Sequence, residues 1–324
     1  MKVLVVGKLG SVAFWMENLV SAFQTEGCDT RGFSVTGDGR WGRLRVRLQK
    51  RIDRKGVAAV LARQFEAALR AFRPDLVVFT HAFWAVPLDM YQVARAMEWQ
   101  PRLLGWVGDK FGADQRPKVE LMDHLFFTDS GFFDDAARFG FPEHTSYLAL
   151  AADPTLFHPG SGARVDEMLF VANCTPHREE VVRAVRSPVT VYGRGWKGLD
   201  DSIHHVQSHL ISIHKVAKLY RRHRSVLNVL NELNLMHGLN QRNFEPLACK
   251  AVVISEQVRD MERCFEPGKE ILVYDDMEEL NDLERKARMD EGFAGRIAEA
   301  GYRRVLAEHT YVHRVRAILK LVNA

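Results

Sequence analysis

Apolar runs of strand length alternate with amphipathic runs of helix length along the chain, and no other feature limits the possible folds so tightly. Such alternation is the mark of a parallel sheet with crossover helices on its faces. The strand-like runs of the first half are "KVLVV", "DLVVFT", "RLLGWV", "HLFFT" and "TSYLAL", with helices expected near 12–26, 56–72, 86–98 and 131–139. At "TLFHPGSGAR" the periodicity stops and Pro, Gly and Ser cluster, which marks a boundary near residue 160. The alternation then resumes with "EMLFVAN", "PVTVYG", "SVLNVL", "AVVIS" and "EILVY", separated by helix-competent segments such as "SIHKVAKLYRR" and "DMEELNDLERKARM".

The expected fold class is therefore α/β, with two Rossmann-like, doubly wound parallel-sheet domains over 1–160 and 161–308. The last segment, 309–324, is expected to form a C-terminal helix, separated from a preceding helix by the β-branched and aromatic "HTYVH" and free to cross back to the first domain. A chain of 324 residues, 47% of them apolar, can bury two cores of this kind.

The balance of 45 Lys+Arg against 41 Asp+Glu, a formal charge of +4, is too mild to imply nucleic-acid binding for the whole chain. Cys28, Cys174, Cys249 and Cys264 show no zinc-ligand spacing and no disulfide framework, which fits a reducing cytoplasm. The apolar run in "MKVLVVGKLG" is too short for a signal-peptide core, and no window reaches the roughly 18 apolar residues of a membrane span.

In open parallel sheets ligands sit beyond the carboxyl ends of the strands, so a strand list becomes a site list. In the second half the strand-end positions are Asn173, Cys174 and Thr175, with Arg178 in the helix that follows; Gly193, Arg194 and Gly195; Asn228 and Asn231; and Ser255 and Glu256. Small, polar and cationic residues in these places suit an anionic, hydroxyl-rich ligand such as a nucleotide diphosphate.

The stretch "GLNQRNFEPLACKAVVISEQ" adds further candidates. If Asn243 caps a helix with Pro246 in its first turn, Arg242 and Glu245 project near the helix start. A guanidinium grips phosphate oxygens as a fork, and a carboxylate accepts hydrogen bonds from the vicinal hydroxyls of a ribose. A glutamate in a first helical turn is also favoured by the helix dipole alone.

The segments "LFVANCTPHREEVV", "VYGRGW", "RNFEPLACKAVVISEQ", "MERCFEPGKEILVYDDMEEL" and "RIAEAGYRRVLAEHTYVHRVRAIL" resemble, in order and spacing, the CgeB-like (spore-maturation type) glycosyltransferases of the GT-B class. "GWVGDKF" and "HLFFTDSGFFDDAARFGF" resemble that family's Trp-x-x-Asp and Phe-x-Thr-Asp stretches. The resemblance implies two domains facing a cleft. There a hexosyl group would pass from a nucleotide-diphosphate sugar, held by the second domain, to an acceptor bound mainly by the first.

By the same resemblance Glu245 falls at the ribose-binding carboxylate, Arg242 and Phe244 at the Arg-x-Phe before it, and His237 at a donor-side position where many relatives carry another glutamate. Lys250 stands where they have a glycine. Those two departures leave open a catalytically inactive nucleotide-sugar-binding homologue. The resemblance implies no cofactor and no catalytic metal, and the acidic pairs at 134–135, 200–201 and 275–276 also read as caps or solvated loops.

On the first domain the strand-end rule picks out 7–11, with Gly10 and Ser11 as acceptor-side candidates, together with His81 and Asp109. An inverting transfer needs a base within reach of the acceptor hydroxyl, for which Asp109 and then His81 are the candidates; a retaining transfer does not. Trp15, Phe83, Trp84 and Trp106 lie near strand ends, where an aromatic stacks on a sugar ring or packs in the core, and Trp84 is taken as acceptor-side. The acceptor itself stays open among protein, polysaccharide and lipid-linked glycan. Residues 40–55, with eight Lys/Arg and one acid, are compatible with peripheral contact to an anionic surface or with a solvated helix whose leucine stripe packs inward.

Overall fold

The structure is a computed structural model, and it describes all residues except 11–13, 37–52, 82, 84–85, 200–202 and 324. Ser11, Trp84 and nearly all of the basic segment 40–55 fall outside the described residues. The chain divides into two compact units, Met1–Ala149 with Arg314–Ala324, and Leu150–His313.

Unit 1 is a six-stranded sheet in the order β2-β1-β3-β4-β5-β6, with every pairing parallel. Its strands are β1 (Lys2–Gly7), β2 (Asp29–Ser34), β3 (Leu76–Thr80), β4 (Arg102–Val107), β5 (His124–Phe127) and β6 (Thr145–Tyr147). Between their ends the central strands are apolar, as in sheets with helices on both faces. The strand β2, "DTRGFS", is absent from the sequence expectation: it is a polar edge strand with a single buried residue, so no apolar run announces it. The terminal helix Tyr311–Val322 ends in unit 1, where Arg314 donates from Nε to the Ala149 carbonyl at 2.6 Å and Arg102 donates to the Val322 carbonyl at 2.6 Å.

Unit 2 holds β7 (Met168–Val171), β8 (Val189–Tyr192), β9 (His205–Gln207), β10 (Ser225–Asn228), β11 (Val252–Glu256) and β12 (Leu272–Tyr274) in the parallel order β12-β11-β10-β7-β8-β9. Read from the β9 edge this is the 3-2-1-4-5-6 arrangement of a dinucleotide-type Rossmann sheet, with its switch point between β7 and β10. The edge strand β9, "HVQ", is again polar, and it too is absent from the sequence expectation. One core cluster joins the sheet residues Phe170, Val191, Leu227 and Ile254 to Val181, Leu280 and Ile297 from three helices.

The division falls at Ala149/Leu150, earlier than the boundary expected near residue 160. The Pro/Gly-rich stretch belongs to unit 2 because its start is pinned there. Ala152 donates its N–H to the His309 carbonyl at 3.0 Å, and the buried Phe157 packs 6.0 Å from the Tyr220 ring.

Lys250 occupies the turn that ends the short helix Glu245–Ala248. Its N–H reaches the Leu247 carbonyl at 2.9 Å and that of Ala251 reaches the Pro246 carbonyl at 3.0 Å, the double bond of a Schellman motif, with Lys250 at φ 57° in the left-handed region. A glycine suits that backbone and a lysine strains it. Here the ammonium meets Glu299 at 2.7 Å and the Tyr302 ring at 4.7 Å. Because a half-exposed ion pair contributes only about 0–1 kcal/mol, Lys250→Gly should raise stability by about 0.5 kcal/mol, whereas Lys250→Ala, which keeps the strain and loses both contacts, should lower it. Chemical denaturation of the two variants checks the opposite signs.

Candidate functional site

At the switch point of unit 2 two strands end side by side and their following segments part company. After β7 comes Asn173-Cys174-Thr175 and then the helix Pro176–Ala184, capped by the Thr175 hydroxyl accepting from the Arg178 N–H at 3.3 Å. The Arg178 side chain turns back into the crevice. It donates from Nε to the Val229 carbonyl beyond β10 at 3.2 Å and from a terminal nitrogen to the Asn173 carbonyl beyond β7 at 3.1 Å, so one buried guanidinium bridges both strand ends.

Arg242 reaches the same region from the 3-10 turn Gln241–Asn243, where its Nε donates to Asn228 Oδ1 at 3.1 Å. Burial pushes the Arg178 pKa down and the nearby Arg242 charge adds to the effect, with Glu256 and Cys174 opposing. Burial also lowers Arg242, against the pull of Tyr220 and Glu245. Two partly desolvated cations in one crevice favour an anion there.

The turn that carries Arg242 is fastened by a buried polar network. Asn228 Nδ2 donates to Asn243 Oδ1 at 3.0 Å and to Ser255 Oγ at 3.1 Å, and Asn243 Nδ2 donates to Ser255 Oγ at 3.0 Å. Asn240 Nδ2 donates to Asn228 Oδ1 at 3.0 Å, and the Asn240 and Asn243 side chains cap the turn from its two ends as a capping box. The sequence reading named Asn228 and Asn243 as donor contacts, but their amide groups are spent on this network, so both act by holding Arg242. Asn240 and its pairing were missed, although the Asn-x-x-Asn spacing is a legible capping signal.

Glu245 opens the next helical turn with 7% of its surface exposed. Burial pushes its carboxyl up to about 8, Arg242 opposes the rise and Asp153 adds to it, and all three residues belong to unit 2. Phe244 is fully buried between Phe265 at 5.3 Å and His309 at 5.5 Å, so its part is packing. His237 is half-buried, and its carbonyl accepts from the Asp260 N–H at 3.0 Å.

At the end of β8, Gly193 stands where a Cβ would fall 1.8 Å from the Ala172 carbonyl oxygen, at a φ of 148°. The exposed Arg194 returns to the switch point through its backbone, its N–H donating to Asn173 Oδ1 at 3.0 Å.

Unit 1 has its own switch point, between β1 and β3. The β1 end comes so close to β3 that a Cβ on Gly7 would lie 2.1 Å from Thr80 Oγ1. His81 follows at φ 51°, its ring stacked 4.5 Å from Trp15. Burial lowers its pKa to about 4, with Lys8 adding to the shift, so the imidazole is neutral at ordinary pH. Gly108 brings the backbone against the same indole, since a Cβ there would meet it at 2.3 Å, and the half-buried Asp109 comes next. Gly10, at φ 61°, donates its N–H to Glu17. Trp15, Phe83 and Trp106 are buried, which makes them core residues and not exposed sugar platforms.

Among the described residues no three His, Cys, Asp or Glu side chains gather as a metal site, and no helix is long and apolar enough to cross a membrane.

Solved structures similar to this chain cover it over its whole length. A sucrose-phosphate synthase from Thermosynechococcus elongatus superposes with a TM-score of 0.71 at 12% identity, covering 100% of this chain and 98% of that one. The fold is GT-B. The Anabaena protein HepE, solved in complex with UDP and glucose, gives a TM-score of 0.69 at 11% identity over 100% and 99% of the two chains. HepE in complex with UDP-glucose gives 0.68 at 10% identity, over 100% and 99%. A family model described as Glycosyl transferase-like matches residues 177–320, which include Arg178, Arg242 and Glu245. No curated protein sequence matches the chain.

Two outcomes follow from this geometry. Asn243→Ala strips one of the two acceptors from Asn228 Nδ2 and the side-chain acceptor from the Asn240 N–H, and with each buried N–H left unpaired costing about 1–3 kcal/mol, unfolding in denaturant should show a loss of about 2–4 kcal/mol. The neutral His81 contributes stability that is complete above its unfolded value of 6.5 and is lost as pH falls through about 4. His81→Asn, which tolerates the left-handed backbone, should flatten the fall in stability across that window relative to wild type; an unchanged slope would contradict the buried neutral ring.

Proposed function

We propose that the protein is a glycosyltransferase in which unit 2 binds a nucleotide-diphosphate sugar and unit 1 serves the acceptor. The observation that carries the reading is the convergence of Arg178 and Arg242 at the β7/β10 switch point, where burial has lowered both and a diphosphate would relieve their repulsion. The match of residues 177–320 to a glycosyl transferase-like family supports it, as does the fold shared with proteins solved with UDP and UDP-glucose, which favours a hexosyl donor.

In this reading the bond between the anomeric carbon and the phosphate oxygen breaks with its electron pair passing to the diphosphate. Arg178 and Arg242 stabilise the charge that develops there, so the transfer needs no metal ion. Glu245 binds the ribose diol, which offers both donors and acceptors to a carboxyl poised near its titration point. His81, neutral and able to accept a proton, and Asp109 are the residues proposed to deprotonate the acceptor in an inverting transfer.

Lys250 does not favour an inactive homologue. It keeps the turn a glycine would make and precedes β11, at the end of the sheet away from the strand-end crevice. The CgeB-like assignment is the finer form of this proposal and rests on the segments quoted above.

The test is nucleoside diphosphate release from a panel of nucleotide sugars, combined with ligand-induced shifts in melting temperature. Arg178→Ala should weaken diphosphates about tenfold or more and leave nucleosides nearly unchanged, because a charge-assisted bond contributes roughly 1.5–3 kcal/mol. Glu245→Ala should weaken both classes alike. Absence of any diphosphate binding by the wild-type chain would overturn the reading.

A further inference from the structure

The strand-end crevice of unit 2 holds one more titratable pair that the donor reading does not use. His177 is the second residue of the helix Pro176–Ala184, beside Arg178, and its Nε2 is hydrogen-bonded to Oε1 of Glu256 at the end of β11. The other oxygen of that carboxylate accepts from the Leu230 N–H at 2.7 Å. Glu256 thus ties together the segments that follow β7 and β10, the two strands bordering the switch point.

A solvated surface pair would carry no message, since such pairs contribute almost nothing. This one is different in three respects. The carboxylate is only 16% exposed and is shared with a backbone amide of the crevice. The imidazole keeps 33% exposure, so it is both fixed and reachable. It lies next in sequence to the guanidinium that bridges the two strand ends.

With Nε2 committed to Glu256, ligand recognition falls to Nδ1, and among the described residues no hydrogen bond engages that atom. The group that meets the ring is Glu256 from β11; that carboxylate also accepts from the Leu230 amide and acts electrostatically on Arg178 of the same helix, which feels Arg242 from the 3-10 turn, and on the buried Tyr274 hydroxyl of β12, while Cys174 contacts Glu179 at the helix start. One carboxylate therefore meets His177 directly, and the same carboxylate acts on Arg178, whose charge is felt by Arg242, so Glu256 links the imidazole to two cations that an added anion would balance.

We propose that His177 is a further diphosphate-binding residue, oriented by Glu256, whose Nδ1–H in the imidazolium form donates to a phosphate oxygen. The inference rests on the reading of unit 2 as the donor-binding half. It adds a proton-dependent contact to the two permanent cations: the protonated ring donates from both nitrogens, and the neutral ring held by Glu256 presents only a lone pair to the ligand.

The experiment is calorimetric titration of wild type, His177→Ala and Glu256→Gln with uridine, guanosine and adenosine diphosphates and with the matching nucleosides. Each titration is made at about pH 6 and about pH 8.5, on either side of the usual histidine range. His177→Ala should weaken the preferred diphosphate about tenfold at the lower pH, clearly less at the higher, and leave the nucleoside within about twofold. Glu256→Gln, which retains an acceptor for the Leu230 N–H but removes the counter-charge, should fall between wild type and His177→Ala. Equal losses for diphosphate and nucleoside, or the same loss at both pH values, would reduce His177 to a structural residue and overturn the inference while the donor reading stands. A wild-type chain that binds no diphosphate overturns both.

Discussion

The candidate site depends on the buried amide network of Asn228, Asn240, Asn243 and Ser255. It is the device that joins the end of β10, the end of β11 and the turn between them into one rigid corner. Each amide has its donor and acceptor used, so the corner has one arrangement and any alternative leaves a buried polar group unpaired at about 1–3 kcal/mol each. Arg242 hangs on this corner through its Nε and through its own N–H, which donates to Asn240 Oδ1 at 2.8 Å. The guanidinium is therefore positioned before any ligand arrives, and the ordering cost that would otherwise be charged to binding is met in folding.

Holding a second guanidinium close by is costly, and the partners of Arg178 show how the fold tolerates it. Two backbone carbonyls and the field of Glu256 hold the Arg178 charge, and the amide oxygen of Asn228 accepts from Arg242 Nε. These partners are dipoles or offset charges, not tight carboxylate forks, so most of the attraction the two cations can exert remains available to an anion. A structural salt bridge would have used it up.

Both sheets, their parallel sense and the domain count were legible in the sequence because central parallel strands are buried on both faces and must be continuously apolar. The strands "DTRGFS" and "HVQ" were not, since an edge strand needs no apolar run and its backbone bonds are invisible in composition. The strand-end rule brought Asn173, Asn228, Ser255, Glu256 and His81 forward as candidates without coordinates, because sheet topology alone decides which loop positions meet. It did not decide which way a side chain turns. Asn228 and Asn243 look like ligand contacts by residue type and are fasteners by geometry, while Phe244, quoted within a family motif, is a core residue. His177 escaped notice because its partner lies on a strand far away in sequence.

The two units make the same topological offer and fill it with different chemistry. Each sheet has one switch point with a glycine-tightened strand end, at Gly7 in unit 1 and around Gly193 in unit 2, where a Cβ would collide with backbone or a neighbouring hydroxyl. In unit 2 the crevice collects permanent cations, an imidazole and a carboxyl raised by burial, which suits a charged, hydroxyl-bearing ligand. In unit 1 it collects a neutral imidazole clamped on a buried indole, with one lysine nearby, which suits proton transfer at an uncharged group far better than it suits phosphate. Shared fold explains where ligands go and is silent on what they are. The asymmetry of charge between the two crevices is the argument for proposing the nucleotide site in unit 2, and it comes from residues whose partners all lie within that unit.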